Sequence, residues 1–280
     1  MRDIKVKFVD FWGGFQPQSF YLYKMLLKTG YNIILDDDSP DIIIGSVFGR
    51  RLDSLESKVK ILYTGENIKS DFRRYDYFIG FEFSDDERIL RLPNYQLHWG
   101  NSNQDERLYF FNKKITPNRN KFCAFIHSNS SAQKRNDFFF KLSKYKKVDS
   151  GGQALNNIGY IVDNKIEWLK DYKFCMCFEN HSEDGYITEK LLEGMMGGCI
   201  PIYWGSKSCI KEFNNKSFLN WHDYESDDDL INKIIELDND NDKYMEMYNQ
   251  PYLIDNKQNI YMDDNRVIDF FKKIINKIVY

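Results

Sequence analysis

Residues 172–206 read YKFCMCFENHSEDGYITEKLLEGMMGGCIPIYWGS, and the order of apolar and polar runs in them decides the fold. Residues 173–178 form a short, nearly continuous apolar run, the pattern of a strand buried on both faces. Residues 179–185 are polar and end in glycine, so they read as a loop. A helix is predicted from about Thr188 to Met196, Gly197-Gly198 stops it, and residues 199–203 form a second apolar strand. Strand, loop, helix and strand make a βαβ unit, and open α/β sheets bind ligands at the loop that follows such a strand. Thr188-Glu189-Lys190 opens the helix, so amide donors and a cation converge where a phosphate would bind.

Working outward, the first ~115 residues alternate strand and helix signals. Strand patterns fall at residues 5–11, 31–35, 42–44, 60–63 and 77–80. Residues 19–28 carry helical periodicity, with Phe20, Tyr23, Leu26 and Leu27 on one face. A second series begins with a strand at 122–126, a helix at about 132–144 and a short strand at 146–148. Between the two series, residues 101–120 are polar, hold a proline and lack periodicity, so they read as a linker. The expected architecture is α/β: two Rossmann-like lobes, with parallel sheets and helices on both faces, facing each other across a cleft. The expected divisions are 1–115, 116–258 and a C-terminal amphipathic helix at 259–280. In that helix Val267, Ile268, Phe270, Phe271, Ile274, Ile275, Ile278 and Val279 form an apolar stripe. The stripe suits either packing back on the N-terminal lobe, the favoured reading, or peripheral contact with a membrane surface.

Composition narrows the class. The chain has 280 residues, 42% hydrophobic and 16% aromatic, enough to bury substantial cores. A net charge of −3 argues against a global nucleic-acid footprint. No apolar run reaches the ~18–20 residues that a membrane crossing needs. The opening MRDIKVKFV interleaves charges in a strand pattern and does not read as a signal peptide. Cys123, Cys175, Cys177, Cys199 and Cys209 are odd in number and sit mostly in apolar strands, so buried free thiols are expected rather than a zinc site. The acidic runs 227–229 and 238–242 read as solvated helix caps and loops, with an Asp-x-Asp metal site the minor alternative.

The motif around residue 172 closely resembles that of the α1,3-fucosyltransferase family. Its elements occur in order as Tyr172-Lys173-Phe174, Phe178-Glu179-Asn180, Tyr186-Ile187-Thr188-Glu189-Lys190, Gly197-Gly198 and Pro201-Ile202-Tyr203-Trp204-Gly205. The resemblance extends upstream over most of the chain and implies a GT-B-type fold and an inverting transferase. It implies GDP-fucose as donor, held in the C-terminal lobe, and an oligosaccharide acceptor fucosylated α1,3 on N-acetylglucosamine or glucose. No cofactor or catalytic metal is implied, a divalent cation being at most stimulatory. Animal members carry an anchor and stem that this sequence does not show, so a cytoplasmic, soluble or peripheral protein is expected. Two alternatives remain open: the same fold with another nucleotide sugar or linkage, and a non-catalytic glycan- or nucleotide-binding protein.

The resemblance also assigns residues. Arg135, in the polar loop SNSSAQKRN that begins at Ser128 and includes Asn129, matches the arginine that contacts the donor phosphates. On position alone it is equally a helix-surface cation, as Lys190 is equally a solvent charge. Glu189 matches the residue contacting sugar hydroxyls, or is an acid answering the helix dipole. Asn180 and Tyr186 are expected to line the donor pocket, with a core aromatic the other reading of Tyr186. Gly152, in Ser150-Gly151-Gly152, and Tyr160 belong to a stretch expected beside the nucleotide, although a Gly-Gly pair is usually just a turn. Tyr63-Thr64-Gly65-Glu66-Asn67 matches the segment whose glutamate is the general base, so Glu66 takes that role, against a loop acid bonding amides. A base works best with its pKa near the working pH, so Glu66 is expected to be partly desolvated or near another acid, and to share a cavity with Lys190. Trp12 either stacks on an acceptor sugar or fills the core, and the four histidines show no metal spacing.

Overall fold

The computed structural model describes residues 3–112 and 119–279. The chain divides into two compact units, Met1–Asn101 with Ile260–Tyr280, and Ser102–Asn259.

In the first unit the strands are β1 (Asp3–Val9), β2 (Asn32–Leu35), β3 (Ile42–Gly45), β4 (Val59–Tyr63), β5 (Tyr77–Gly80) and β6 (Ile89–Arg91). They form one sheet in the order β2-β1-β3-β4-β5-β6, every pair parallel. β3, with Ile42, Ile43, Ile44 and Gly45 all buried, is the doubly covered strand that a parallel sheet requires. One face carries the core of Ile4, Val6, Ile42, Ile44 and Ile61, and the C-terminal helix Asp264–Val279 packs into it. Val267, Ile268, Phe270, Phe271, Ile274 and Ile275 are all buried there, each worth about 1.5–3 kcal/mol of transfer energy. The stripe that could have lain on a membrane is therefore core. Asp264 fixes the start of that helix by accepting from Tyr21 Oη at 2.8 Å and Gln96 Nε2 at 3.1 Å.

This packing corrects one expected face. The helix Tyr21–Leu27 buries Tyr21, Leu22, Met25 and Leu26, while Tyr23 is only partly covered and Leu27 is 50% exposed. Local periodicity could not register that the C-terminal helix contacts this one and covers its other flank.

The second unit holds β7 (Lys121–Phe125), β8 (Val148–Ser150), β9 (Tyr172–Phe178), β10 (Ile200–Trp204) and β11 (Leu219–Asn220), in the parallel order β11-β10-β9-β7-β8. Counted from its own first strand, this is the same 2-1-3-4-5 order that β1 to β5 show. In both units the order reverses between the first and third strands, at β1/β3 and at β7/β9. The loops leaving those strands part in opposite directions and open a crevice at the carboxyl edge of the sheet.

Part of the stretch read as a linker, residues 101–120, is helical, and its residues 113–118 lie outside the described residues. Asn94–Asn101 and Gln104–Phe111 are helices, the second opened by a capping box between Asn103 and Glu106. Phe110 is buried against Tyr252, with ring centroids 5.0 Å apart.

The first acidic run begins the helix Asp227–Asn239, whose Ser226 side chain accepts from Asp229 N–H. Asp227 is not solvated. It accepts from Lys134 at 2.6 Å, Lys141 at 2.8 Å and Trp221 Nε1 at 2.7 Å. Burial works against its charge, but these donors outweigh burial and bring its pKa from 3.8 to about 2. A depressed carboxylate contributes stability above its unfolded pKa and loses it as pH falls through the folded value. Asp227→Asn should therefore cost about 1–2 kcal/mol at neutral pH, a range set by the half-open lysines, and only a small part of that at pH 2. Urea unfolding of both proteins at pH 7, 4 and 2 measures this.

No helix among the described residues is long and apolar enough to cross a bilayer.

Candidate active site

The β7/β9 crossing point of the second unit collects the charged side chains. β9 is apolar to its end, and Glu179 follows it directly. Its N–H donates to Trp204 O at 2.7 Å, continuing the sheet register, and its side chain turns inward with no exposed surface. There Oε1 accepts from Thr188 N–H at 2.7 Å and Oε2 from Thr188 Oγ1 at 2.6 Å. Lys190 Nζ lies 3.1 Å from Glu179 Oε2 and 3.2 Å from Glu189 Oε1, and donates to Thr188 Oγ1 at 2.7 Å. The Lys190 side chain is 12% exposed, so it is not a solvent charge. Burial opposes its ammonium, yet Glu179 and then Glu189 outweigh burial and raise its pKa. Burial also raises the pKa of Glu179, against the pull of Lys190 and Thr188.

This corrects the expectation for the helix Glu189–Met196. Its N-terminus does not present all its donors outward, because Glu179, a carboxylate of the chain itself, already accepts from Thr188 N–H. What opens outward is Glu189, with a side chain 24% exposed, and Lys190 between the two acids.

Arg135 approaches the same loop from the other side. It sits in the first turn of the helix Gln133–Ser143 and is 1% exposed, so the surface reading fails. One guanidinium nitrogen, Nη1, donates to Asn180 Oδ1 at 3.0 Å and Phe178 O at 3.4 Å, and Nη2 donates to Asn129 O at 2.6 Å. The loops after β7 and β9 are thus tied together by one cation. Arg135 Nε is buried without a hydrogen-bond partner among the described residues. Asn129 turns its side chain onto its own loop, accepting from Ser131 N–H at 2.8 Å.

Under these groups lies His127, with Nε2 at 3.3 Å from Met176 O. Burial first, then Arg135, Lys165 and Lys190, press its pKa well below the ordinary value, so it is a neutral imidazole. Gly152 passes directly over it. A Cβ there would meet His127 O at 2.3 Å and N at 2.4 Å, so the missing side chain serves the contact of one loop with another. Tyr186 is 3% exposed, as a core aromatic would be, and Tyr160 is 57% exposed with its hydroxyl accepting from Trp168 Nε1 at 3.3 Å. The arrangement therefore ties Arg135 to Asn129 and Asn180 and Lys190 to Glu189, with the charge of Glu179 felt by both cations, while Gly152 lies against His127 and Tyr160 stays exposed.

Glu66 belongs to the first unit and follows β4 at its carboxyl end. Thr64 Oγ1 accepts from Glu66 N–H at 2.9 Å, which turns the chain outward, and the glutamate is exposed. The expected partial desolvation is not present. Trp12 is 46% exposed and does not fill the core.

All five cysteines are buried and unbridged, with Cys175 and Cys177 Sγ 3.5 Å apart on one face of β9. Among the described residues, no group of three or more His, Cys, Asp or Glu side chains is placed to hold a metal.

Sequence reasoning missed Glu179 and His127 as site residues, and placed Thr188 at the helix opening without its bonds to Glu179. For Glu179 the signal was present: a carboxylate placed at once after the apolar run 174–178 continues a buried strand, and a buried carboxylate needs a partner.

Comparison with known proteins adds to this geometry. The model described as "Glycosyltransferase family 10 (fucosyltransferase) C-term" matches residues 116–264, and "Alpha-(1,3)-fucosyltransferase FucT N-terminal domain" matches 6–98. A Helicobacter pylori α-(1,3)-fucosyltransferase is 33% identical over 99% of this chain and 67% of its own length. The human 4-galactosyl-N-acetylglucosaminide 3-α-L-fucosyltransferase 9 is 30% identical over 48% of this chain and 38% of its own length. A crystal structure of an α1,3-fucosyltransferase with GDP-fucose superposes with a TM-score of 0.81 at 30% identity, covering 97% of this chain and 90% of that one.

Proposed function

We propose that this chain, which belongs to glycosyltransferase family 10, the fucosyltransferases, transfers L-fucose from GDP-fucose to an oligosaccharide hydroxyl with inversion. The observation that carries the proposal is the pair of buried cations, Lys190 and Arg135, at the β7/β9 crossing point of the second sheet. The acceptor oxygen forms a bond to the anomeric carbon while the bond from that carbon to the diphosphate oxygen breaks. GDP departs with the electron pair, and Glu66 takes the acceptor's proton. The charge that grows on GDP meets Lys190 and the free edge of Arg135, where Nε and one Nη2 hydrogen remain available. Fixed cations in a site of low dielectric stabilise such charge strongly because they need no reorganisation. We assign the leaving-group role to these cations without a metal, a divalent ion being at most stimulatory.

Glu189, the more open of the two acids on Lys190, is assigned to the fucose hydroxyls. Asn129 and Asn180 hold Arg135, and Gly152 lets two loops meet beneath the nucleotide, which Tyr186 and Tyr160 border. The α1,3 linkage to N-acetylglucosamine or glucose rests on the family and on the names of its relatives. Donor identity is tested by GDP or UDP release from a panel of nucleotide sugars. GDP-fucose alone should turn over with a suitable acceptor; turnover of a UDP-sugar and not GDP-fucose would overturn the assignment.

A further inference from the structure

The first unit has its own crossing point, at β1/β3, and two large aromatic side chains stand exposed there. Trp12 follows β1 and is 46% exposed; Phe48 follows β3 and is 56% exposed. Their ring centroids are 6.2 Å apart and their planes meet at 88°, so they form an L-shaped corner. Such exposure is costly for isolated rings, and here it is held rigidly. Asp10, with φ of 61°, accepts from Arg51 N–H at 3.0 Å and Leu52 N–H at 2.8 Å through its carboxylate. Its carbonyl accepts from Phe48 N–H at 3.0 Å, which clamps the two loops to each other. Beneath Trp12, Phe11 and Phe15 stack at 4.0 Å, and Phe11 stacks in turn on Tyr63 at 6.1 Å. Tyr63 ends β4 and leads through Thr64 and Gly65 to Glu66, so one aromatic layer connects the corner to the base. Gly13 and Gly14 follow Trp12, and a Cβ at either would meet nothing within 4 Å.

Resting on the transferase reading above, we propose that Trp12 and Phe48 form the platform on which a pyranose ring of the acceptor stacks. A pyranose has an apolar C–H face with a polar rim, and an aromatic face covers the first while water reaches the second. The corner takes one ring and is far smaller than the ~1,000 Å² a stable protein interface needs. The two glycines leave the approach to the indole clear. The same carboxyl edge carries Glu66, so a sugar seated here presents its hydroxyls toward the group that must accept a proton.

The test measures acceptor KM at saturating GDP-fucose, GDP affinity and melting temperature for three variants. Trp12→Ala should raise acceptor KM by about tenfold or more, with GDP affinity unchanged. Trp12→Phe should recover most of that loss, as a ring replaces a ring. Gly13→Ala, which has open space and no left-handed backbone to strain, should keep the wild-type melting temperature and raise acceptor KM. Acceptor KM within about twofold of wild type in Trp12→Ala would overturn the platform alone. A wild-type chain that neither binds GDP nor turns over GDP-fucose would overturn the transferase reading, and the platform with it.

Discussion

Glu66→Gln is expected to lower kcat by about 10³-fold while GDP affinity and the melting temperature stay at wild-type values. The expectation of unchanged folding comes from how the residue is held. Its N–H bonds Thr64 Oγ1 and its carbonyl accepts from Ile68 N–H at 2.8 Å, both of which an amide side chain leaves in place. The glutamate side chain is exposed and supports no core contact, so an isosteric amide should change stability by less than about 0.5 kcal/mol. Unchanged GDP affinity is expected because the residues assigned to the diphosphate belong to the second unit. The large kinetic effect follows because an amide cannot take the proton that the acceptor hydroxyl must lose. Initial rates of GDP release, with titration calorimetry for GDP on the same samples, separate the two effects. A variant that keeps more than about a tenth of the rate would remove Glu66 from the role of base.

The sequence is explicit about the strands that lead to such residues. Short parallel strands with both faces buried announce themselves, since the isoleucines of β3 and the run 173–178 have no other stable use. The carboxyl ends of those strands, and the polar residues after them, are then placed by topology alone. Topology did not single out Arg135, Glu189, Lys190 or Glu66 among those polar residues; the resemblance of the motifs did. What was not legible depended on partners distant in sequence. The buried face of the helix Tyr21–Leu27 is chosen by a helix at the other end of the chain, and Asp227 is taken out of solvent by Lys134 and Lys141. β6 and β11 are three and two residues long, too short to show a period. The helix at 104–111 has a weak apolar face, and only its capping box, Asn103 with Glu106, marked its start. Polar residues were harder still, because a charged side chain looks the same in sequence whether water or another side chain satisfies it. Glu179 was read as loop polarity although it is the most deeply buried acid of the site.

Glu179→Ala should both destabilise the second unit and make GDP binding depend on pH. Removing one member of a buried, hydrogen-bonded ion pair typically costs about 3–5 kcal/mol, because the remaining charge stays desolvated. Here the loss also strands Thr188, whose N–H and hydroxyl both donate to the missing carboxylate. Lys190 would retain Glu189 and Thr188 as partners, so a cost toward the lower end of that range is expected, read as a fall in the denaturation midpoint. In the wild type Lys190 stays protonated because its acids raise its pKa against burial. Without Glu179 burial has less to oppose it, and the pKa falls. The ammonium, and with it attraction for a diphosphate, is then lost as pH rises through that lowered value. GDP affinity should therefore begin to fall at a lower pH in the variant than in the wild type. Glu179→Gln separates the causes. It keeps the volume and one acceptor for Thr188 N–H, but turns an NH₂ donor toward groups that are themselves donors, so it should bind GDP with the same pH dependence as the alanine variant while losing less stability. A merely structural Glu179 would shift the midpoint and leave the wild-type affinity profile against pH unchanged in both variants. If that is what the titrations show, the buried acid does not control the charge on Lys190, and Glu189 alone must do so.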